Sequence, residues 1–158
     1  MRLTFLVVSI FASFVSCIAP HSAYANTLKP FSTDGCSMWP DGTPTNPYKW
    51  RSCCVAHDKA YWMGGLKDQR EEADRAFHTC LTKESGAGMA NYMYFMVRWA
   101  GNPLWTTPYR WGYGWDYLDS KLPRGYKQPT EEEQRQIDVL LPDADQKITD
   151  DGLVYLVK

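Results

Sequence analysis

The pattern of apolar and polar positions predicts two neighbouring helices in the first half of the chain. Residues 47–63 begin with Pro47, which suits the first helical turn, and two glycines follow them as a stop signal. Residues 67–83 carry apolar side chains three and four positions apart, at Ala73, Ala76, Phe77, Cys80 and Leu81. Helices joined by so short a glycine turn are predicted to be antiparallel neighbours.

Three further elements are predicted towards the end of the chain. Residues 89–100 are apolar on most sides, which predicts a buried or interfacial helix. Thr130 is the predicted N-cap of a short helix at residues 131–141, with Glu133 in the capping-box position. Residues 153–157 predict a short terminal strand.

An aromatic-rich segment lies between these helices. Residues 101–129 mix Trp and Tyr with Pro and Gly, so no regular element is predicted there. Three interpretations are open for the rings at residues 99–126. They close a small helical core, they sit at the headgroup depth of a membrane, or they form a sugar-binding patch.

The first 25 residues resemble a secretory signal peptide. Arg2 precedes an apolar run at residues 3–18, and Ala23-Tyr24-Ala25 forms an A-x-A cleavage site. An uncleaved membrane anchor is the alternative, although the run is short for a span of ~20 residues. The predicted organisation is therefore a signal peptide at 1–25, a single domain at 26–158, and a secreted or periplasmic location.

Charge excludes one class of partner. The chain has 17 Lys and Arg residues against 18 Asp and Glu residues, for a formal net charge of −1. Acids and bases are interleaved along the sequence, so no basic surface for nucleic acid is predicted.

Four cysteines remain after the signal peptide, namely Cys36, Cys53, Cys54 and Cys80. Adjacent cysteines do not pair readily, which leaves two connectivities in an oxidising compartment. In an antiparallel helix pair, facing positions have a nearly constant sum of residue numbers. One register therefore places Cys53 opposite Cys80 and His57 opposite Asp74, and it predicts the bridges Cys53–Cys80 and Cys36–Cys54.

A histidine that faces an aspartate has a chemical use. The carboxylate fixes the imidazole tautomer and stabilises the imidazolium that forms when the other ring nitrogen takes a proton from water. His57 and Asp74 are therefore candidate catalytic residues. The alternative is a buried histidine whose hydrogen bonding an acid satisfies.

The neighbour of this histidine suggests a metal site. Asp58 points about 100° away from His57 around the helix, towards a polar loop at residues 34–42 that contains Asp34 and Asp41. Carboxylate and carbonyl oxygens are the ligands that calcium prefers. The alternative is an exposed helical acid beside ordinary turn acids.

Residues 53–61 read CCVAHDKAY, which resembles the active-site helix C-C-x-x-H-D-x-C-Y of the secreted phospholipase A2 family. Asp74, six residues before Cys80, resembles the second helix of that family. Members of that family usually have one further disulfide, between a cysteine shortly after His-Asp and a cysteine just before the aspartate. Here both cysteines are replaced, by Ala60 and Ala73. The resemblance covers residues 34–80.

The loop departs from the glycine-rich calcium loop of the animal enzymes. Residues 34–37 read DGCS, which resembles the D-G-C-x of prokaryotic phospholipases A2. The resemblance implies that calcium is held by Asp34, the Gly35 carbonyl and Asp58.

The fold that the resemblance implies is mainly α and phospholipase A2-like. It has two antiparallel disulfide-linked helices, a calcium loop and an aromatic-rich irregular C-terminal region. The implied activity is calcium-dependent hydrolysis of the sn-2 ester of glycerophospholipids at a membrane or micelle surface. His57 is the general base on water, while Asp74 orients it with help from Tyr61. A protein inhibitor is an open question.

Two other functions are open. The first is a non-catalytic secreted module on the same scaffold that binds lipid or a protein partner. The second is a cysteine-stapled interaction domain with chance similarity, which requires bridges other than Cys53–Cys80 and Cys36–Cys54.

Overall fold

The protein is mainly helical. The structure is a computed structural model that describes residues 26–156, with side chains for residues 26–150, so the predicted signal peptide at 1–25 lies outside the described residues. The helices are α1 (Arg51–Met63), α2 (Lys67–Ser85), α3 (Ala87–Ala100) and α4 (Glu131–Leu156). Two short strands, β1 (Leu118–Asp119) and β2 (Leu122–Pro123), pair antiparallel.

The two predicted disulfides are present. Cys53 on α1 is bonded to Cys80 on α2, and Cys36 in the preceding loop is bonded to Cys54. The antiparallel register that was read from residue numbers is therefore confirmed, and the interaction domain that required other bridges loses its premise. Disulfides persist in oxidising compartments, which agrees with the predicted location. Secretion itself stays a prediction.

Helix α1 begins at Arg51, four residues later than the predicted start at Pro47. Pro47 instead lies in a turn that follows the isolated bridge between Thr43 and Asn46. The indole N–H of Trp50 donates to the Pro40 carbonyl at 2.7 Å and secures this turn. Tertiary hydrogen bonds thus override the local helix signal.

Among residues 26–150, two core clusters are present, and α1 contributes to both of them. One lies around the disulfides and consists of Cys36, Trp50, Cys53, Cys54, Phe77, Leu81, Ala90 and Met93. The other consists of Leu28, Phe31, Val55, Trp62, Trp115, Ile137 and Ala144. Because α1 packs against both clusters, the helix cannot rotate about its axis. The direction of the His57 side chain, which lies on α1, is therefore fixed.

The aromatic segment partly closes the core. Trp111 and Trp115 are buried, and their indole N–H groups donate to the carbonyls of Gly65 and Met63 at 2.9 and 2.7 Å. These carbonyls lie at the end of α1 and in the turn before α2, so the rings clamp that turn. Trp99, by contrast, is exposed. Irregular structure was predicted here, and β1 and β2 are the only strands among the described residues.

The prediction for the end of the chain was wrong. Residues 131–141 were expected to form a short helix and residues 153–157 a strand, yet α4 continues through Pro142 to Leu156. Proline removes one backbone donor, but Ala144 and Ile148 beyond it pack on the second core cluster. This packing carries the helix past the proline. Within residues 26–156, no helix is long and apolar enough to cross a membrane.

The predicted capping box at the start of α4 is confirmed and extended by an ion pair. Thr130 Oγ1 accepts the Glu133 N–H, and a Glu133 carboxylate oxygen accepts the Thr130 N–H. The other carboxylate oxygen lies 2.6 Å from Arg124 Nη1. Burial raises the pKa of Glu133, but the hydrogen bonds from Arg124 and the Thr130 N–H, together with the charges of Arg124 and Lys127, outweigh burial and lower the pKa to about 2.

Glu133→Gln is expected to destabilise the fold by about 3 kcal/mol at pH 7, because it leaves Arg124 buried without its closest carboxylate. A carboxylate with a depressed pKa stabilises the fold above its ordinary pKa, and this contribution is lost as pH falls towards about 2. Chemical unfolding from pH 2 to 7 measures both effects. The exposed Glu132→Gln is the matched control, expected to change stability by less than about 0.5 kcal/mol. Equal effects of the two changes would contradict this role.

Candidate active site

The two candidate catalytic residues meet in the interior. His57 Nε2 on α1 lies 2.8 Å from Asp74 Oδ1 on α2. Asp74 is fully buried and His57 is 8% exposed. The bond between Cys53 and Cys80 lies one helical turn from His57 and holds the two helices in this register. The predicted pairing of His57 with Asp74 is therefore present in the fold.

The surroundings favour a neutral imidazole. Burial lowers the pKa of His57 below its ordinary value, despite the opposing hydrogen bond and charge of Asp74. An ionised carboxylate only accepts hydrogen bonds, so Nε2 carries the ring proton and Nδ1 is the basic nitrogen. The ring packs against Tyr61 and Phe77 in tilted arrangements, with centroid distances of 4.2 and 4.5 Å.

Three further side chains surround the Asp74 carboxylate. Tyr61 Oη donates to Oδ1 at 2.8 Å, as its predicted supporting position implies, and Arg98 Nη1 donates to Oδ2 at 2.8 Å. Arg70 Nε lies 3.7 Å from Oδ2 and donates to Tyr61 Oη at 3.0 Å. Although burial raises the pKa of Asp74, the hydrogen bonds from His57 and Arg98 outweigh it, and the net pKa lies below the ordinary value.

Sequence reasoning missed both arginines. Arg70 precedes Asp74 by one helical turn, a spacing at which side chains meet, so the sequence did contain a signal for it. Arg98 comes from α3, and nothing in the numbering fixed how α3 docks on α2. That contact depends on tertiary packing alone.

The predicted metal ligands lie on α1 and in the loop that precedes it. Asp58 Oδ2 accepts a hydrogen bond from Thr33 Oγ1 at 2.6 Å, so Asp58 faces the loop as expected. Burial and the nearby charge of Asp34 raise the pKa of Asp58 to about 7, against the opposing effect of the Thr33 hydroxyl. The Gly35 carbonyl accepts the Ser37 N–H at 3.1 Å. Asp34 lies close enough for its charge to act on Asp58, and its Oδ1 accepts the Ser37 hydroxyl at 2.7 Å.

Asp41, the other loop acid, has a different role. Its Oδ1 accepts the Cys36 N–H at 2.7 Å, and its Oδ2 lies 2.5 Å from Arg51 Nη1. The same Arg51 nitrogen donates to the Asp34 carbonyl at 3.0 Å. Asp41 and Arg51 therefore fix the backbone of the loop. Within residues 26–150, no group of three or more His, Cys, Asp or Glu side chains is arranged to hold a metal ion.

A cavity of about 360 Å³ opens beside these residues. His57, Asp58 and Gly35 are among the residues that line it. Its apolar lining includes Phe77, Met93, Met96, Val97 and Trp99. A water and a long apolar group both fit such a space, and of the dyad only His57 lines it.

No family model matches the chain, and neither a curated protein nor a solved structure matches it significantly.

Proposed function

We propose that this protein is a calcium-dependent hydrolase of glycerophospholipid esters, with a phospholipase A2-like fold. The observation that carries the proposal is the buried pair of His57 and Asp74, 2.8 Å apart, whose histidine lines a largely apolar cavity together with Asp58. An ester of a long-chain acid matches this cavity, because it has a polar carbonyl group for His57 and Asp58 and a long chain for the apolar lining.

In this proposal His57 is the general base. Its Nδ1 takes a proton from a water molecule, which attacks the sn-2 carbonyl carbon of the substrate. Asp74 accepts the Nε2 proton in a hydrogen bond, holds the tautomer and stabilises the imidazolium as it forms. Tyr61 and Phe77 pack against the imidazole ring and restrict its rotation. The imidazolium then returns the proton to the departing alcohol.

The residues around Asp58 fit a hard divalent cation. All candidate donors are oxygens, and Asp34 and Asp58 supply two carboxylates. Ser37 occupies only one lone pair of the Gly35 carbonyl. Burial disfavours the ionised form of Asp58, and a bound cation offsets that cost. When bound by Asp34, the Gly35 carbonyl and Asp58, calcium supplies electrostatic stabilisation of the developing oxyanion and of the phosphate.

The surroundings of the cavity mouth favour an aggregated lipid as substrate. The exposed apolar side chains that line the cavity, and Phe95 on the same face of α3 as Tyr92 and Trp99, define a rim: Met38, Trp39, Tyr92, Phe95, Met96 and Trp99. Phe95 is 66% exposed and Trp99 is 58% exposed. Aromatic rings are favoured at the headgroup level of a bilayer. A membrane or micelle surface is therefore the proposed partner.

Replacing both Phe95 and Trp99 by Ala is expected to weaken binding to phosphatidylcholine vesicles by at least about tenfold, because apolar area is no longer buried in the lipid. Cosedimentation with vesicles measures the partition coefficient. Leu122→Ala removes an equally exposed apolar side chain from β2 and is expected to leave binding unchanged. Equal loss in the two proteins would show that the rim has no special role.

The test of the proposed function is release of fatty acid from mixed phospholipid micelles by the disulfide-bonded protein, in calcium and in excess chelator. We expect fatty acid to be released in calcium and not in excess chelator. The second candidate function, a non-catalytic lipid-binding module, is favoured by the same exposed rim. Vesicle binding without release in either condition would support that module and refute the esterase.

A further inference from the structure

The Asp74 carboxylate is a shared acceptor whose two oxygens have different partners. Oδ1 accepts from His57 and Tyr61, whereas Oδ2 faces the two arginines. A fully buried carboxylate needs such compensation, because burial of an unpaired charge is costly. One of these partners, Arg98 on α3, comes from outside the two helices that were expected to form the dyad.

Arg98 is the closer of the two cations. Its Nη1 lies 2.8 Å from Oδ2, and its Nη2 lies 3.6 Å from Glu71. Arg70 is largely committed elsewhere, since four of its five N–H groups donate to Tyr61, to Tyr126 and to two backbone carbonyls. Those carbonyls belong to Val97 and Arg98, so Arg70 fixes the end of α3 from which Arg98 reaches Asp74.

We infer that Arg98 is a positioning residue of the dyad, which holds Oδ2 of Asp74 so that Oδ1 stays directed at His57. A carboxylate pinned at one oxygen loses rotation about its terminal bond, and the tautomer of the facing imidazole is then defined. The inference rests on the proposed function, because it assigns Arg98 a part in that reaction. The Arg98 side chain is 29% exposed, and α3 also carries Phe95 and Trp99 of the rim. One helix therefore contacts the dyad and contributes to the exposed apolar surface.

The kinetic test compares Arg98→Met and Arg98→Lys with the matched control Arg75→Met. Arg75 is exposed and adjacent to Asp74 in sequence, so its change removes the same charge without the contact. Arg98→Met is expected to lower kcat about 10- to 100-fold with little change in KM, and Arg98→Lys to restore part of it. An unchanged kcat in Arg98→Met, or an equal loss in Arg75→Met, would overturn the inference.

A second measurement separates this inference from the proposed function. Nitrogen-15 NMR of the imidazole reports the tautomer of His57 whether or not the protein hydrolyses lipid. The unchanged protein and Arg75→Met are expected to show the Nε2-protonated form, and Arg98→Met a mixture of tautomers, with Arg98→Lys between them. A single Nε2-protonated form in a folded Arg98→Met would refute the positioning role, even if no variant releases fatty acid.

Discussion

His57→Gln is expected to lower kcat for fatty-acid release by about 10³-fold or more, because it removes the group that takes the proton from water. Glutamine keeps hydrogen-bonding atoms near Asp74, so the fold should persist with both disulfides. KM should change little, since His57 acts on water rather than on the lipid chains. Initial rates on mixed micelles at saturating calcium measure the loss.

The matched control for this change is His78→Gln. His78 lies on α2, outside the cavity, and its Nε2 lies 2.7 Å from Asn91 Oδ1. This variant should retain full activity. Comparable loss in both variants would mean that histidine removal acts through stability, and unchanged activity in His57→Gln would exclude His57 as the base.

Asp58→Asn is expected to weaken calcium binding on the order of 100-fold, because one charged ligand becomes neutral at nearly the same size. Fatty-acid release at limiting calcium should fall in parallel and recover only partly at high calcium. Burial already raises the pKa of Asp58 to about 7, so the neutral amide should not destabilise the calcium-free fold. Calorimetric titration with calcium and thermal unfolding in chelator measure these two effects.

Asp143→Asn provides the control for Asp58→Asn. Asp143 is exposed on α4 and is not among the proposed calcium ligands. The calcium affinity of Asp143→Asn should therefore equal that of the unchanged protein. Unaltered calcium affinity in Asp58→Asn would place the metal elsewhere. A large loss of stability in chelator would instead show that Asp58 supports the loop through its bond with Thr33.

The helix pair could be predicted because its information is local. A glycine turn fixes α1 and α2 as antiparallel neighbours, and residue numbers then determine which side chains face each other. One register therefore predicted the Cys53–Cys80 bridge and the contact between His57 and Asp74, and both are present. The phospholipase A2 resemblance of residues 53–61 stays a prediction about family and activity.

The remaining features depend on packing that no local pattern encodes. Arg98 reaches Asp74 only because α3 docks on α2, and α4 continues past Pro142 because Ala144 and Ile148 have a core to join. The late start of α1 follows from tertiary bonds of Trp50. Each error arose where a distant contact outweighed the propensity of the nearby residues.

The most direct test uses phosphatidylcholine that carries different acyl chains at the sn-1 and sn-2 positions, in mixed micelles with the disulfide-bonded protein. Mass spectrometry of the released fatty acid identifies the ester that is cleaved. Selective release of the sn-2 chain in calcium, and none in chelator, is the expected result. No release by the folded protein, or release that is equal in chelator, would contradict a calcium-dependent sn-2 esterase.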